Sequence, residues 1–189
     1  FLGDSLSMAW PSPQKCVHFQ FINRGISSQT TEQVLRRYPI QIDPLRPDIL
    51  VIQLGINDLK TIPLFPGQKK SIIENCCKNI AKLVTLANQS GAAIILTTNF
   101  PVGDVPLERK PFWSEDVPVA ILKINHFMRS LQSENVIILD AYSILAGEQN
   151  HIQPHFSKDL LHINNIGYSA LNNRLVSILK NSFTNETNS

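Results

Sequence analysis

Aliphatic residues in this chain fall into two patterns. Runs of four to six without polar alternation occupy 49–54, 92–97 and 136–139, with a shorter β-rich run at 17–22 and a stub at 1–2. Such runs suit strands covered on both faces, as in a parallel sheet. Between them, apolar positions recur at three- and four-residue steps. The stretch 71–89 carries Ile73, Cys76, Ile80, Leu83, Val84 and Ala87, and 117–131 carries Ile121, Ile124, Phe127, Met128 and Leu131. The stretch 164–179 carries Ala170, Leu171, Leu175 and Leu179, and 30–37 is a shorter helical segment. These stripes predict helices with one core face each.

Strand and helix patterns alternate along the chain, which predicts right-handed crossovers and an α/β class fold, a doubly wound three-layer α/β/α sandwich. A single domain is expected over 1–183, followed by a polar tail at 184–189 that frays. Two connections are long, 57–70 and 99–118. The second holds Pro101, Pro106, Pro111 and Pro118, which stiffen it into an ordered wall.

Composition narrows the classes. The chain has 189 residues, 43% apolar and 17% charged, with a formal net charge of +2. That is a globular composition of about one domain, and the small charge gives no footprint for nucleic acid. The longest apolar runs fall far short of the roughly 20 residues that cross a bilayer as a helix, so no membrane-spanning helix is expected. Cys16, Cys76 and Cys77 are odd in number and lack zinc-type spacing, which argues against a disulfide framework or a metal site. The compartment is left open, because the chain begins at Phe1 without Met.

Candidate chemistry sits where strands end. Gly3-Asp4-Ser5-Leu6 follows the first strand, where Gly and Asp permit a tight turn that presents the Ser5 hydroxyl. Asn23-Arg24-Gly25-Ile26-Ser27 follows the second, and Gly25 there offers either an unshielded N–H or a positive φ. Gly55-Ile56-Asn57-Asp58 follows the third and puts a side-chain amide at a strand end, a natural oxyanion donor. Asp159-Leu160-Leu161-His162 follows the fifth. Three residues from His162, Asp159 can hold one imidazole nitrogen while the other faces a nucleophile. Parallel strands all point one way, so the four loops share the sheet edge where open α/β folds place ligands. Asp4 and Asp58 read as turn-organising carboxylates.

In these four ordered blocks the chain resembles the GDSL or SGNH hydrolases, whose name letters match Ser5, Gly25, Asn57 and His162. The likeness covers essentially the whole chain. It implies a flavodoxin-like five-stranded parallel sheet in the order 2-1-3-4-5, no metal and no organic cofactor. It also implies a serine hydrolase in which Ser5, His162 and Asp159 form a triad, with the backbone N–H groups of Ser5 and Gly25 and the Asn57 amide as an oxyanion hole. The chain departs from the family at Ser28-Gln29, where Gly-Asp is frequent, at Ile56 in place of Thr, and at Leu160 and Ile163. The family's first strand is usually longer than the stub here, which implies that a few N-terminal residues are absent.

The implied reaction is cleavage of a carboxylic ester through an acyl-enzyme. The substrate is a small-molecule ester, either lipid-like, as for an esterase or lysophospholipase, or an acetylated sugar. Acyl transfer to another acceptor would use the same groups, and a non-catalytic binding module is a further reading. Trp10, Phe100, Phe112 and Trp113 lie in loops at strand ends, where they either wall an acyl pocket or pack the long loop against the body. Arg109 and Lys110 read as solvated charges. His18, His126, His151 and His155 have no assigned role. No Gly-x-Ser-x-Gly elbow, Gly-x-Gly-x-x-Gly turn or Walker loop is present. Oligomeric state is not legible.

Overall fold

A computed structural model describes residues 1–14, 16 and 18–183. Five strands, β1 (Leu2–Gly3), β2 (Arg24–Gly25), β3 (Ile49–Gln53), β4 (Ala93–Thr97) and β5 (Val136–Leu139), form one sheet in the order β2-β1-β3-β4-β5. All four pairings are parallel. Seven helices accompany it among the described residues: α1 (Ser5–Met8), α2 (Thr31–Gln41), α3 (Ile56–Leu59), α4 (Lys69–Gln89), α5 (Asp116–Ser130), α6 (Ala141–Leu145) and α7 (Asn165–Phe183). This is the expected three-layer α/β/α sandwich in the expected strand order.

The long strands β3 and β4 are buried on both faces because helices cover both sides, which is why their sequences read as continuous aliphatic runs. Helices α2, α4 and α5 pack side by side, and α6 packs on α7. Their buried residues are the predicted stripes: Cys76, Ile80, Leu83, Val84 and Ala87 in α4, and Ile121, Ile124 and Met128 in α5. Helix α2 starts where the Gln33 side chain reaches back to the Thr30 N–H at 2.9 Å, half of a capping box.

The second strand lies elsewhere than the aliphatic pattern suggested. The run expected at 17–22 is not a strand over its described residues 18–22, and Val17, like the predicted tail at 184–189, lies outside the described residues. A ladder needs a partner along its length. Leu2 is opposite Arg24 and Gly3 is opposite Gly25, which puts β2 on the C-terminal side of that run. Phe19 and Phe21 alternate as strand residues do, but they pack inward as a ring cluster with Phe1, at centroid distances of 6.4 and 5.9 Å.

The two long connections are folded. Residues 57–70 are occupied by α3 and a short 3-10 turn, Pro66–Gln68. The segment at 99–118 leaves β4 through a pair of hydrogen bonds to Asn125 of α5: the Asn99 N–H donates to Oδ1 at 2.7 Å, and Nδ2 donates to the Asn99 carbonyl at 2.9 Å. It then runs along the loop that carries Asp159, where the Gly103 N–H donates to the Leu160 carbonyl at 2.7 Å. A Cβ on Gly103 would stand 2.9 Å from the Asp159 carbonyl oxygen, so that close approach requires glycine.

Candidate active site

Ser5 is the first residue of α1, one step past the end of β1. Asp4 caps this four-residue helix, its Oδ1 accepting the Leu6 N–H at 2.9 Å. Tyr168 of α7 braces the same helix by donating its hydroxyl to the Leu6 carbonyl at 2.8 Å. The strand-to-helix step is tight. A Cβ on Gly3 would lie 1.7 Å from the Gln53 carbonyl oxygen, so only glycine lets β1 approach β3 there.

His162 enters from the loop before α7. Its Nε2 is 3.1 Å from Ser5 Oγ, across 157 residues of sequence. Its Nδ1 is 3.0 Å from both carboxylate oxygens of Asp159. Asp159 is fixed by its own turn, with Oδ1 accepting the N–H groups of Leu161 and His162, each at 2.9 Å. Burial alone would raise the Asp159 carboxyl. The two N–H donors and the His162 ring outweigh burial and hold it below the usual carboxylate range. An ionised Asp159 therefore faces Nδ1, which leaves Nε2 with its lone pair toward the Ser5 hydroxyl.

Asn57 stands in α3, after Gly55 turns the chain at φ 125°. A side chain at Gly55 would meet Asn99 Nδ2 at 2.9 Å. The Asn57 side-chain amide donates one hydrogen to the Gln29 carbonyl at 3.0 Å, and a primary amide carries a second. The neighbouring Asp58 ties α3 to α2, accepting from the Thr31 N–H at 2.8 Å and the Thr31 hydroxyl at 2.7 Å. Burial pushes the Asp58 carboxyl up, against those two bonds. Asp4 organises its own turn as expected, whereas Asp58 ties two helices together.

Gly25 does not take the place the sequence suggested. It lies within β2, and its N–H is already donated to Asn23 Oδ1 at 2.8 Å. The reason for glycine there is steric, since a Cβ would stand 2.2 Å from the Met8 nitrogen. In this arrangement Gly25 is a packing residue and not a free donor. By contrast, the Ser5 N–H opens α1 and has no intrahelical acceptor.

The four aromatics separate. Trp10 and Phe100 are buried in the core with ring centroids 6.5 Å apart. Trp10 also stacks near Tyr168 at 6.0 Å and donates its Nε1–H to Asn172 at 2.8 Å. Trp113 is half-buried, and Phe112 is 76% exposed. For Trp10 and Phe100 the structure therefore favours core packing over a pocket wall. Of the other histidines, His151 pairs with Asp104 at 3.1 Å and His155 lies against Phe156 at 3.9 Å between centroids. His18 and His126 are exposed.

Sequence reasoning assigned no role to three residues beside the site. Arg37 of α2 is only 8% exposed and donates to the Gly3 carbonyl and the Gln29 side chain. Gln29 supplies the carbonyl that holds Asn57. Ser28 adopts the left-handed conformation with φ 64°, uncommon for a residue other than glycine. The available signal was the departure at Ser28-Gln29 itself.

Known proteins resemble this chain in sequence and in fold. The sequence profile of the GDSL-like Lipase/Acylhydrolase family matches residues 1–170. An arylesterase of Vibrio mimicus is 34% identical over 110 residues, covering 50% of this chain and 50% of that protein. The chain thus spans about half the length of that curated relative. Among solved structures, a GDSL-like lipase from Bacteroides thetaiotaomicron superposes with TM-score 0.78 at 23% identity, over 95% of this chain and 86% of the other. An acetyl xylan esterase superposes with TM-score 0.73 at 16% identity, over 94% and 97%.

Proposed function

The chain belongs to the GDSL-like lipase/acylhydrolase family, and from that premise we propose that it hydrolyses carboxylic esters through an acyl-enzyme on Ser5. The observation that carries this reading is the relay from Ser5 Oγ to His162 Nε2 at 3.1 Å and from His162 Nδ1 to Asp159 at 3.0 Å. As Ser5 Oγ bonds to the ester carbonyl carbon, His162 Nε2 takes its proton, and Asp159 stabilises the imidazolium. The C–O bond to the leaving alcohol breaks as His162 returns that proton to the alkoxide. Water then attacks the acyl carbon, giving its proton to His162, and Ser5 leaves with the proton restored. The developing oxyanion is met by the Ser5 N–H and by the second hydrogen of the Asn57 amide.

Two acyl sizes remain in play. A lipid-like, lysophospholipase-type substrate needs an apolar wall, for which Phe112 and Trp113 are the available aromatics. Short acyl groups, including acetyl esters of sugars, are favoured by the commitment of Trp10 and Phe100 to the core. The same acyl-enzyme would serve transfer to an acceptor other than water. The test is a ladder of p-nitrophenyl esters from acetate to decanoate, read with the intact chain and with Ser5→Ala. Turnover that vanishes in Ser5→Ala supports the reading, and the chain-length optimum chooses the acyl size. Equal rates from the two proteins overturn it.

A further inference from the structure

We propose that Arg37 is a positioning residue that sets the spacing between the two oxyanion donors; the inference rests on the ester-hydrolase reading above. The guanidinium is buried on α2 and makes three hydrogen bonds to three separate places. Nη2 donates to the Gly3 carbonyl at 3.0 Å, Nε to Gln29 Oε1 at 2.6 Å, and Nη1 to Gln41 Oε1 at 3.0 Å. Two of these acceptors lead directly to the site. Gly3 is two residues before Ser5, and its carbonyl also takes the Ile26 N–H at 3.1 Å. Gln29 takes the Asn57 amide on its own backbone carbonyl at 3.0 Å. A single rigid fork therefore joins the turn bearing the Ser5 N–H to the loop that holds Asn57.

The chemistry of the contact argues against a purely structural role. A guanidinium is among the most costly groups to bury, and burial normally comes with a carboxylate. Among the described residues Arg37 forms no ion pair; all three acceptors are neutral. A methionine or leucine would fill the same space between α2 and the sheet without desolvating a charge. What an aliphatic side chain cannot do is fix two acceptors at the angles of a planar fork. The loop held this way also contains Ser28 in its left-handed conformation, a backbone state that persists only where surrounding contacts enforce it.

Donor spacing matters to the transition state and little to ground-state binding, because the oxyanion occupies a position that the ester carbonyl oxygen does not. Loss of the fork should therefore appear in kcat and spare KM. The experiment measures p-nitrophenyl acetate hydrolysis by the wild type, Arg37→Met, Arg37→Lys, Gln29→Leu, Asn57→Ala and the Arg37→Met/Asn57→Ala double variant. Arg37→Met should lower kcat by about 10- to 100-fold, the scale of a sub-ångström to 1 Å misplacement, with KM changed less than about 3-fold. Arg37→Lys, which keeps one donor, should recover part of the loss. The double variant should be little worse than Asn57→Ala, because Arg37 acts in part through Asn57.

Wild-type kcat in Arg37→Met, or losses that multiply in full in the double variant, overturn the inference. If Arg37→Met does not fold, Gln29→Leu decides alone, with kcat loss supporting and wild-type kcat refuting. A separate readout keeps the two readings apart. The 15N-resolved shifts of the Asn57 side-chain amide and the Ser5 N–H must move together in Gln29→Leu. If they do move while the wild type turns over no faster than Ser5→Ala, the hydrolase reading fails and the positioning stands; if they stay, the positioning fails whatever the activity.

Discussion

Asp4 stands beside the proposed nucleophile with no exposed surface, and its Oδ2 has no hydrogen-bond partner among the described residues. Burial pushes its carboxyl up to about 7, with like-charged Asp58 adding to the rise and the Leu6 N–H and Lys60 opposing it. In the unfolded chain the same group ionises near its ordinary value of 3.8. Between those two values the native state keeps a proton that the unfolded state has lost, so stability is full below about 3.8 and falls as pH rises through 7. At about 1.4 kcal/mol per pH unit, the interval amounts to about 4 kcal/mol. Asp4→Asn removes the ionisation from both states and keeps a cap acceptor for the Leu6 N–H, since Asn and Asp cap about equally well. The difference in unfolding free energy between Asp4→Asn and the wild type should thus grow, in favour of Asn, by about 3 kcal/mol from pH 5 to pH 8. Urea denaturation at fixed ionic strength across that range measures it, with Asp58 present in both proteins. A difference that is the same at pH 5 and pH 8 would show that Asp4 titrates alike in both states, and the reasoning would be refuted.

Other substitutions test the packing around the site. Gly25→Ala places a methyl 2.2 Å from the backbone of Met8 and should destabilise by about 3 kcal/mol or more, read as a lowered urea midpoint, although the N–H it would perturb is not a proposed donor. Trp10→Ala should lose about 3–5 kcal/mol as a core truncation, whereas Phe112→Ala, at 76% exposure, should stay within about 0.5 kcal/mol. If the two behave alike in thermal melts, the division of the aromatics is wrong. Ser28→Gly relieves the left-handed strain at φ 64° and should raise the melting temperature slightly, because about 1–2 kcal/mol of strain is partly offset by the greater freedom of glycine in the unfolded chain.

The sequence made legible whatever depends on residue type at short range. The aliphatic runs at 49–54, 92–97 and 136–139 marked three strands to within a residue or so, because nearly every position in these largely buried strands is aliphatic. The helix stripes were legible as well. The Ser5, Asp159 and His162 cluster was legible too, since parallel strands bring loops to one edge wherever they occur in the chain. The second strand was missed because Phe19 and Phe21 imitate strand alternation, while the pairing that defines β2, with Leu2 and Gly3 of β1, is a long-range fact.

Gly25 and Arg37 show why the finer site was harder to read. A glycine can be required for a free N–H, for a positive φ or for a close approach, and all three look alike in a sequence. Only the position of Met8 and the bond to Asn23 separate them here. An arginine in an amphipathic helix normally lies on the solvent side, and the seven-residue step from Thr30 to Arg37 does not say otherwise. Its inward direction follows from three acceptors supplied by residues 3, 29 and 41, and no local pattern encodes them. The groups proposed to break bonds were thus identifiable from their own chemistry, whereas the groups that fix their spacing could be found only from what surrounds them. That asymmetry is expected wherever rate depends on donor geometry, because a reacting group must be of one particular type, while a side chain that holds it in place need only reach the right backbone oxygen.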